Sequence, residues 1–170
     1  MKKMSLLLFV FTALAVASAQ NDRRSAITVS VDGLNCTSSL GAGAFPALSW
    51  TFAATDAVST GGTGSGGSVG KTTISTLNIT KRADSCSPLL FNDVVTGRHI
   101  KSVTIVQESN RNDVFTVTLS NVIISSYQLG GDQSSAVPTE QIAFAFSKIC
   151  LADSQSGTKA CYNSQTGATF

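Results

Sequence analysis

Phe115-Thr116-Val117-Thr118-Leu119-Ser120 places three apolar side chains on one side of an extended chain and three hydroxyls on the other. A period of two is the mark of a half-buried strand, because successive side chains of a strand point to opposite faces. The same pattern recurs in both directions from this stretch. Ile27, Val29 and Val31 alternate with Thr28, Ser30 and Asp32, and Val103 and Ile105 repeat the pattern briefly. Further on, Ile142, Phe144 and Phe146 alternate with Ala143 and Ala145. Charged residues make up only 13% of the chain, and the intervening segments are rich in Gly, Ser and Asp. Several such strands predict a mainly all-β fold, a barrel or sandwich of two sheets.

One segment departs from this period. Ser87 can cap a helix, Pro88 suits its first position and Gly97 can stop it. Leu90/Val94 and Phe91/Val95 pair at i,i+4 between them, so a short helix with an apolar face is expected to flank or plug the barrel. Two loops also stand out. Ser59–Gly70, with Gly61, Gly62, Gly64, Gly66 and Gly67, is almost entirely Gly, Ser and Thr and is expected to be solvated and mobile. Leu129–Pro138 is a second Gly/Ser-rich excursion. Sheet patterning resumes after each, which argues for one domain without internal repeats.

The first residues read differently. Lys2 and Lys3 precede the apolar run Leu6–Phe11 and Leu14 and Val16, and Ala17-Ser18-Ala19 offers small residues for a signal peptidase. This order predicts a secretory signal peptide over residues 1–19 and a single mature domain over 20–170. The apolar run is short for a membrane span, so no membrane partner is expected after cleavage. Removing Lys2 and Lys3 lowers Lys plus Arg from 12 to 10, equal to the 10 Asp plus Glu. A neutral mature chain lacks the basic footprint that nucleic acid binding requires.

Cys36, Cys86, Cys150 and Cys161 all lie beyond the leader. An even count in an exported chain reads as two disulfides, with three possible connectivities. No Cys-x-x-Cys occurs and His99 is the lone histidine, so a metal site is not expected. Residues 150 and 161 are symmetric about Ser154-Gln155-Ser156-Gly157, and a hairpin there would set them opposite each other. That pairing leaves Cys36 for Cys86, tying an early loop to the helix start.

Motifs for chemistry do not survive their context. Gly62-Thr63-Gly64-Ser65-Gly66-Gly67 has the letters of a dinucleotide fingerprint, but Lys71 and the β-branched Thr72-Thr73-Ile74 follow where a helix is required. Gly70-Lys71-Thr72 lacks the glycine five places earlier that a phosphate loop needs, since that residue is Ser65. Serines occupy no nucleophile elbow. Asp84, Asp93, Glu108 and Asp113 show no spacing that commits two carboxylates to one task. His99 is expected in the turn after the helix, its ring nitrogens meeting backbone groups. No catalytic, cofactor-binding or metal-ligating residue is therefore assigned. Asn35-Cys36-Thr37 and Asn78-Ile79-Thr80 match the glycosylation triplet, the first through a cysteine and the second within a strand.

From about Ala47 onward the order of features resembles the Hcp-like tube proteins of type VI secretion systems. Leu48-Ser49-Trp50-Thr51-Phe52 is similar to that family's early tryptophan strand, and the glycine-rich loop and Gly70-Lys71 follow. Leu77–Lys81, then Asp84 and Ser87-Pro88-Leu89-Leu90, resembles its strand ending in Thr-Lys, an Asp and the Ser-Pro opening of its helix. Gly97-Arg98-His99, Ile124–Gly131, Pro138-Thr139-Glu140 and Phe146–Ile149 complete the match. The resemblance implies a barrel of two sheets with one flanking helix. It also implies self-assembly into six-membered rings that stack into a tube, carrying protein effector cargo in the lumen. In that resemblance the Ser59–Gly70 loop reaches toward an adjacent ring, and self-association runs through loops and strand edges. Two features depart from cytoplasmic tube subunits, the leader and the disulfides, and both point to a secreted relative. A monomeric secreted binding or carrier module on the same fold is the competing expectation, with a small secreted hydrolase behind it.

Overall fold

The computed structural model describes residues 26–59, 68–70, 72–109 and 113–170. The leader, and Gly61, Gly62, Gly64, Gly66 and Gly67 of the glycine-rich loop, lie outside the described residues.

β1 (Ala26–Val31) runs by a loop into β2 (Ala44–Pro46) and β3 (Ser49–Thr51). β4 (Ala54–Thr55) and β5 (Val58–Ser59) lead outward, and β6 (Ser68–Val69) and β7 (Thr73–Ile74) return to β8 (Leu77–Arg82). Then come α1 (Ser87–Thr96), β9 (Ile100–Glu108), β10 (Val114–Gly130), β11 (Thr139–Asp153), β12 (Lys159–Asn163) and β13 (Ala168–Thr169).

Antiparallel pairing carries the sheet around in a circuit. β2 pairs with β1, β1 with β9, β9 with β10, β10 with β11, β11 with β8, and β8 with β3. The chain passes directly from β2 to β3: the Ala47 N–H donates to the Ile27 carbonyl at 2.9 Å and the Leu48 N–H to the Thr80 carbonyl at 2.7 Å. Residues 44–51 therefore act as one bent strand that joins β1 to β8 and closes the barrel, removing the exposed edges an open sheet would leave. β12 and β13 extend the wall from the second half of β11.

β10 and β11 are the longest strands, and β11 pairs with β8 along its first half and with β12 along its second. β10 runs unbroken from Val114 to Gly130 but bends twice. Val117 and Leu119 point inward before Asn121, and Val122 and Ile124 after it, so the inward phase changes from odd to even. Asn121 adopts a left-handed backbone (φ 52°), a region Asn visits more readily than most residues. A bulge at Ser125 changes the phase again and brings Tyr127 against the core.

The core is the inward set of these strands: Val29, Phe45, Leu77, Ile79, Val103, Ile105, Ile142 and Phe144 are all at most 1% exposed. Trp50 lies between Phe52 and Phe115, with ring centroids 6.3 and 6.2 Å away, and its indole N–H donates to Gln107 at 2.9 Å. A half-buried indole thus adds apolar area without leaving its one donor unpaired.

α1 is the one helix among the described residues, and its start corrects the expected cap. Cys86, not Ser87, occupies the cap position, and it makes no side-chain cap bond. The Asp84 carboxylate accepts the Cys86 N–H at 2.9 Å, while the Ser87 hydroxyl accepts the Asp84 N–H at 2.8 Å. The far end is as expected. Gly97 (φ 63°, ψ 35°) ends the helix in the left-handed region, and the Arg98 N–H closes on the Asp93 carbonyl at 3.0 Å. Leu90 is fully buried and Val94 packs on the core, but Phe91 is 52% and Val95 63% exposed. The i,i+4 pairs thus divide, one facing the barrel and the other facing away.

Candidate functional site

Two places stand out: the barrel end under α1, and the ribbon that leaves the barrel beside β3 and β8.

At the barrel end, Lys81 and Glu140 are directly opposed across β8 and β11, and both are 0% exposed. Lys81 continues the inward phase of Leu77 and Ile79, and Glu140 precedes Ile142 and Phe144 on theirs, so the barrel's own alternation places a charge pair inside. Four acceptors surround the Lys81 ammonium and share its three hydrogens: Glu140 Oε2 at 3.0 Å, Asp84 Oδ1 at 2.9 Å, the Arg82 carbonyl at 2.9 Å and the Ser87 hydroxyl at 3.2 Å. The ammonium also lies 5.2 Å from the centre of the Phe45 ring. Tyr127 donates its phenol hydrogen to Glu140 Oε1 at 3.0 Å. Burial, and then this bond, push the Tyr127 phenol from 10.0 up to about 12. Every buried polar side-chain atom among the described residues has a partner. A saturated network of this kind fixes the geometry of strand, loop and helix start together.

This network forms the wall of a groove of about 520 Å³ between Pro88 and Phe91 of α1, Tyr127 and Leu129 of β10, and Pro138. The Phe91 and Tyr127 rings meet at 5.7 Å. Leu89 (37%), Phe91, Val95 and Leu129 (58%) expose apolar surface beside it. At the other end of α1, Asp93 is 5% exposed and takes two bonds from Arg98, at 2.6 and 2.7 Å. The Asp93 hydrogen bond pushes the Arg98 guanidinium above its ordinary value.

The ribbon is a two-stranded extension. β4 pairs with β7 and β5 with β6, and the Gly70 N–H donates to the Ala57 carbonyl at 2.8 Å. A Cβ on Gly70 would sit 2.9 Å from that same oxygen, so glycine permits the close approach. Ser59 lies in β5 and Gly70 follows β6, which puts both at the base of the glycine-rich tip rather than within it.

The cysteines form Cys36–Cys86 (S–S 2.01 Å) and Cys150–Cys161 (2.03 Å), the latter between directly opposed residues of β11 and β12. His99 follows the helix but is exposed, and it makes no hydrogen bond to described backbone, contrary to expectation. Asp84 and Glu140 meet on Lys81, a convergence that their separation in the sequence hides. The signal that could have found it is a charged residue on the inward phase of an alternating strand, present at both 81 and 140.

Solved structures share this architecture. Hcp1 from Salmonella typhimurium matches with a TM-score of 0.70 at 21% identity, covering 86% of this chain and 99% of that one. A type six secretion system protein matches with a TM-score of 0.73 at 18% identity, over 86% and 100%. A chain of an extracellular contractile injection system, solved as a PVC sheath–tube complex in the extended state, matches more distantly, with a TM-score of 0.54 at 14% identity over 74% and 86%. No curated protein matches the sequence. The fold is thus that of the tube subunits of injection systems. A family model described as "Type VI secretion system effector, Hcp" matches residues 22–152, and the chain belongs to that Hcp family of non-enzymatic tube proteins.

Proposed function

We propose that the mature chain, residues 20–170, is an exported structural subunit that assembles into hexameric rings. The rings stack into a tube whose lumen carries protein effector cargo. Family membership over residues 22–152 is the observation that carries this reading. The outer part of the ribbon supports it: between Asp56 and Lys71, from Ala57 to Gly70, there is no charge and no proline, the residues that usually guard a strand edge against pairing with another copy. In this reading the ribbon and its Ser59–Gly70 tip bridge one ring to the next. Two disulfides fit an oxidising destination, as export by a signal peptide over residues 1–19 requires.

Light scattering and negative-stain imaging of the purified mature protein test the assembly. Rings of six subunits are expected, and a monomer at all concentrations would defeat the reading in favour of a monomeric carrier that uses the groove. Residues 60–67 are all Gly, Ser or Thr, so deleting them takes away no large apolar side chain; the deletion should leave the thermal transition unchanged and weaken stacking. Full-length tubes from the deletion would remove the ribbon from the proposal. The N-terminal sequence of the exported product should begin at Gln20.

A further inference from the structure

The loop after β1 grips α1 at both ends. Cys36 is bonded to Cys86, the residue before the helix, and the neighbouring Thr37 carbonyl accepts the Ser85 hydroxyl at 2.6 Å. At the other end the Asp32 carbonyl accepts from Arg98 at 3.3 Å, and Arg98 in turn holds Asp93. α1 brings little hold of its own. Leu90 is its one fully buried apolar residue, and ten residues are too few for a helix to persist unsupported in water. The two disulfides also differ in what they add. Cys150–Cys161 joins strands already paired from Lys148 to Ala152, whereas Cys36–Cys86 spans 50 residues and joins a loop to a helix start.

We propose that Cys36–Cys86 is a redox latch on α1. Closed, it seats the helix and completes the groove beside Phe91 and Tyr127; open, it releases the helix while the barrel persists. The inference rests on the exported-subunit reading and adds that the helix face matures only in an oxidising compartment. Closure is a thiol–disulfide exchange. One cysteine thiolate attacks the disulfide of an external oxidoreductase or small-molecule disulfide, and the second cysteine then displaces that partner. One S–S bond forms in the chain, and the external disulfide leaves reduced, as an oxidoreductase dithiol or as two small-molecule thiols, carrying away the two electrons and two protons. Cys86 is 0% and Cys36 4% exposed, so the closed latch is shielded from reductant until the loop itself opens.

Hydrogen exchange by mass spectrometry, with light scattering alongside, tests this on the mature protein, on Cys36→Ala/Cys86→Ala and on Cys150→Ala/Cys161→Ala. The first variant should exchange its 87–96 amides about tenfold faster or more, with β9 and β10 still protected. The second should change exchange only in residues 154–170. Unchanged protection of 87–96 in the first variant would overturn the latch. So would loss of protection throughout β9 and β10, because the bridge would then staple the whole fold rather than the helix. The parent's mass is read separately: a monomeric parent counts against assembly and leaves the latch to be judged by exchange.

Discussion

Replacing Lys81 with Met removes the charge that balances a fully buried carboxylate. In the parent, Glu140 receives the Lys81 ammonium on one oxygen and the Tyr127 hydroxyl on the other. Lys81→Met leaves the hydroxyl alone to stabilise a carboxylate of 0% exposure. Asp84 fares better, because its side chain is 30% exposed and can hydrate while it keeps the Cys86 N–H. The loss therefore concentrates on Glu140, and breaking a buried pair in this way costs about 3–5 kcal/mol. That is a large share of the roughly 5–15 kcal/mol by which a domain is stable. Lys81→Met/Glu140→Met removes both charges and refills the volume, so it should be more stable than Lys81→Met alone. The assay is guanidinium unfolding of the mature, oxidised protein followed by circular dichroism, with Glu140→Met completing the cycle. Lys81→Met costing less than about 1 kcal/mol, or a double variant no better than the sum of the singles, would refute a coupled buried pair.

Four further outcomes follow, the first from the same network and the others from elsewhere in the molecule. Tyr127 holds its phenol proton in the folded state from pH 10.0 to about 12, so its stabilising contribution is complete below pH 10 and is lost as pH climbs toward 12. Spectrophotometric titration should show a late-ionising phenol that disappears in Tyr127→Phe. Gly97→Ala meets no atom within 4 Å and should cost only its left-handed backbone, about 1–2 kcal/mol by thermal unfolding. Gly43→Ala should cost more than about 3 kcal/mol, because its Cβ would lie 2.5 Å from the Leu34 carbonyl and 2.8 Å from that of Val31. Opening Cys150–Cys161, which closes 11 residues, should cost about 3 kcal/mol, against about 4 for the 50 residues closed by Cys36–Cys86. Denaturant midpoints of the two Cys→Ala double variants check that order.

Much of the fold is legible in the sequence because alternation is a local property. Ile27–Val31, Phe115–Leu119 and Ile142–Phe146 show which side of each strand turns inward, and Gly97 marks a helix end through its own backbone freedom. The Cys150–Cys161 pairing can be read from symmetry about one turn, which is local too. The candidate site is less legible. Lys81, Asp84 and Glu140 are charged residues whose spacing looks arbitrary, since β8 and β11 become neighbours only when the barrel closes. Ser87 has the chemistry of a helix cap, but tertiary contacts redirect its hydroxyl to Asp84 and Lys81. The helix pattern marks Phe91 and Val95 as apolar without showing which i,i+4 pair the barrel covers.

By itself, then, the sequence determined the mainly β character, the helix that Gly97 stops and the family resemblance, all of which rest on residue order and short-range geometry. Tertiary structure decided the closure of the barrel through residues 44–51, the double bend that makes β10 one strand, and the burial of Lys81 against Glu140. Those depend on contacts between segments far apart in the chain, and their energies exist only once the intervening loops have been closed.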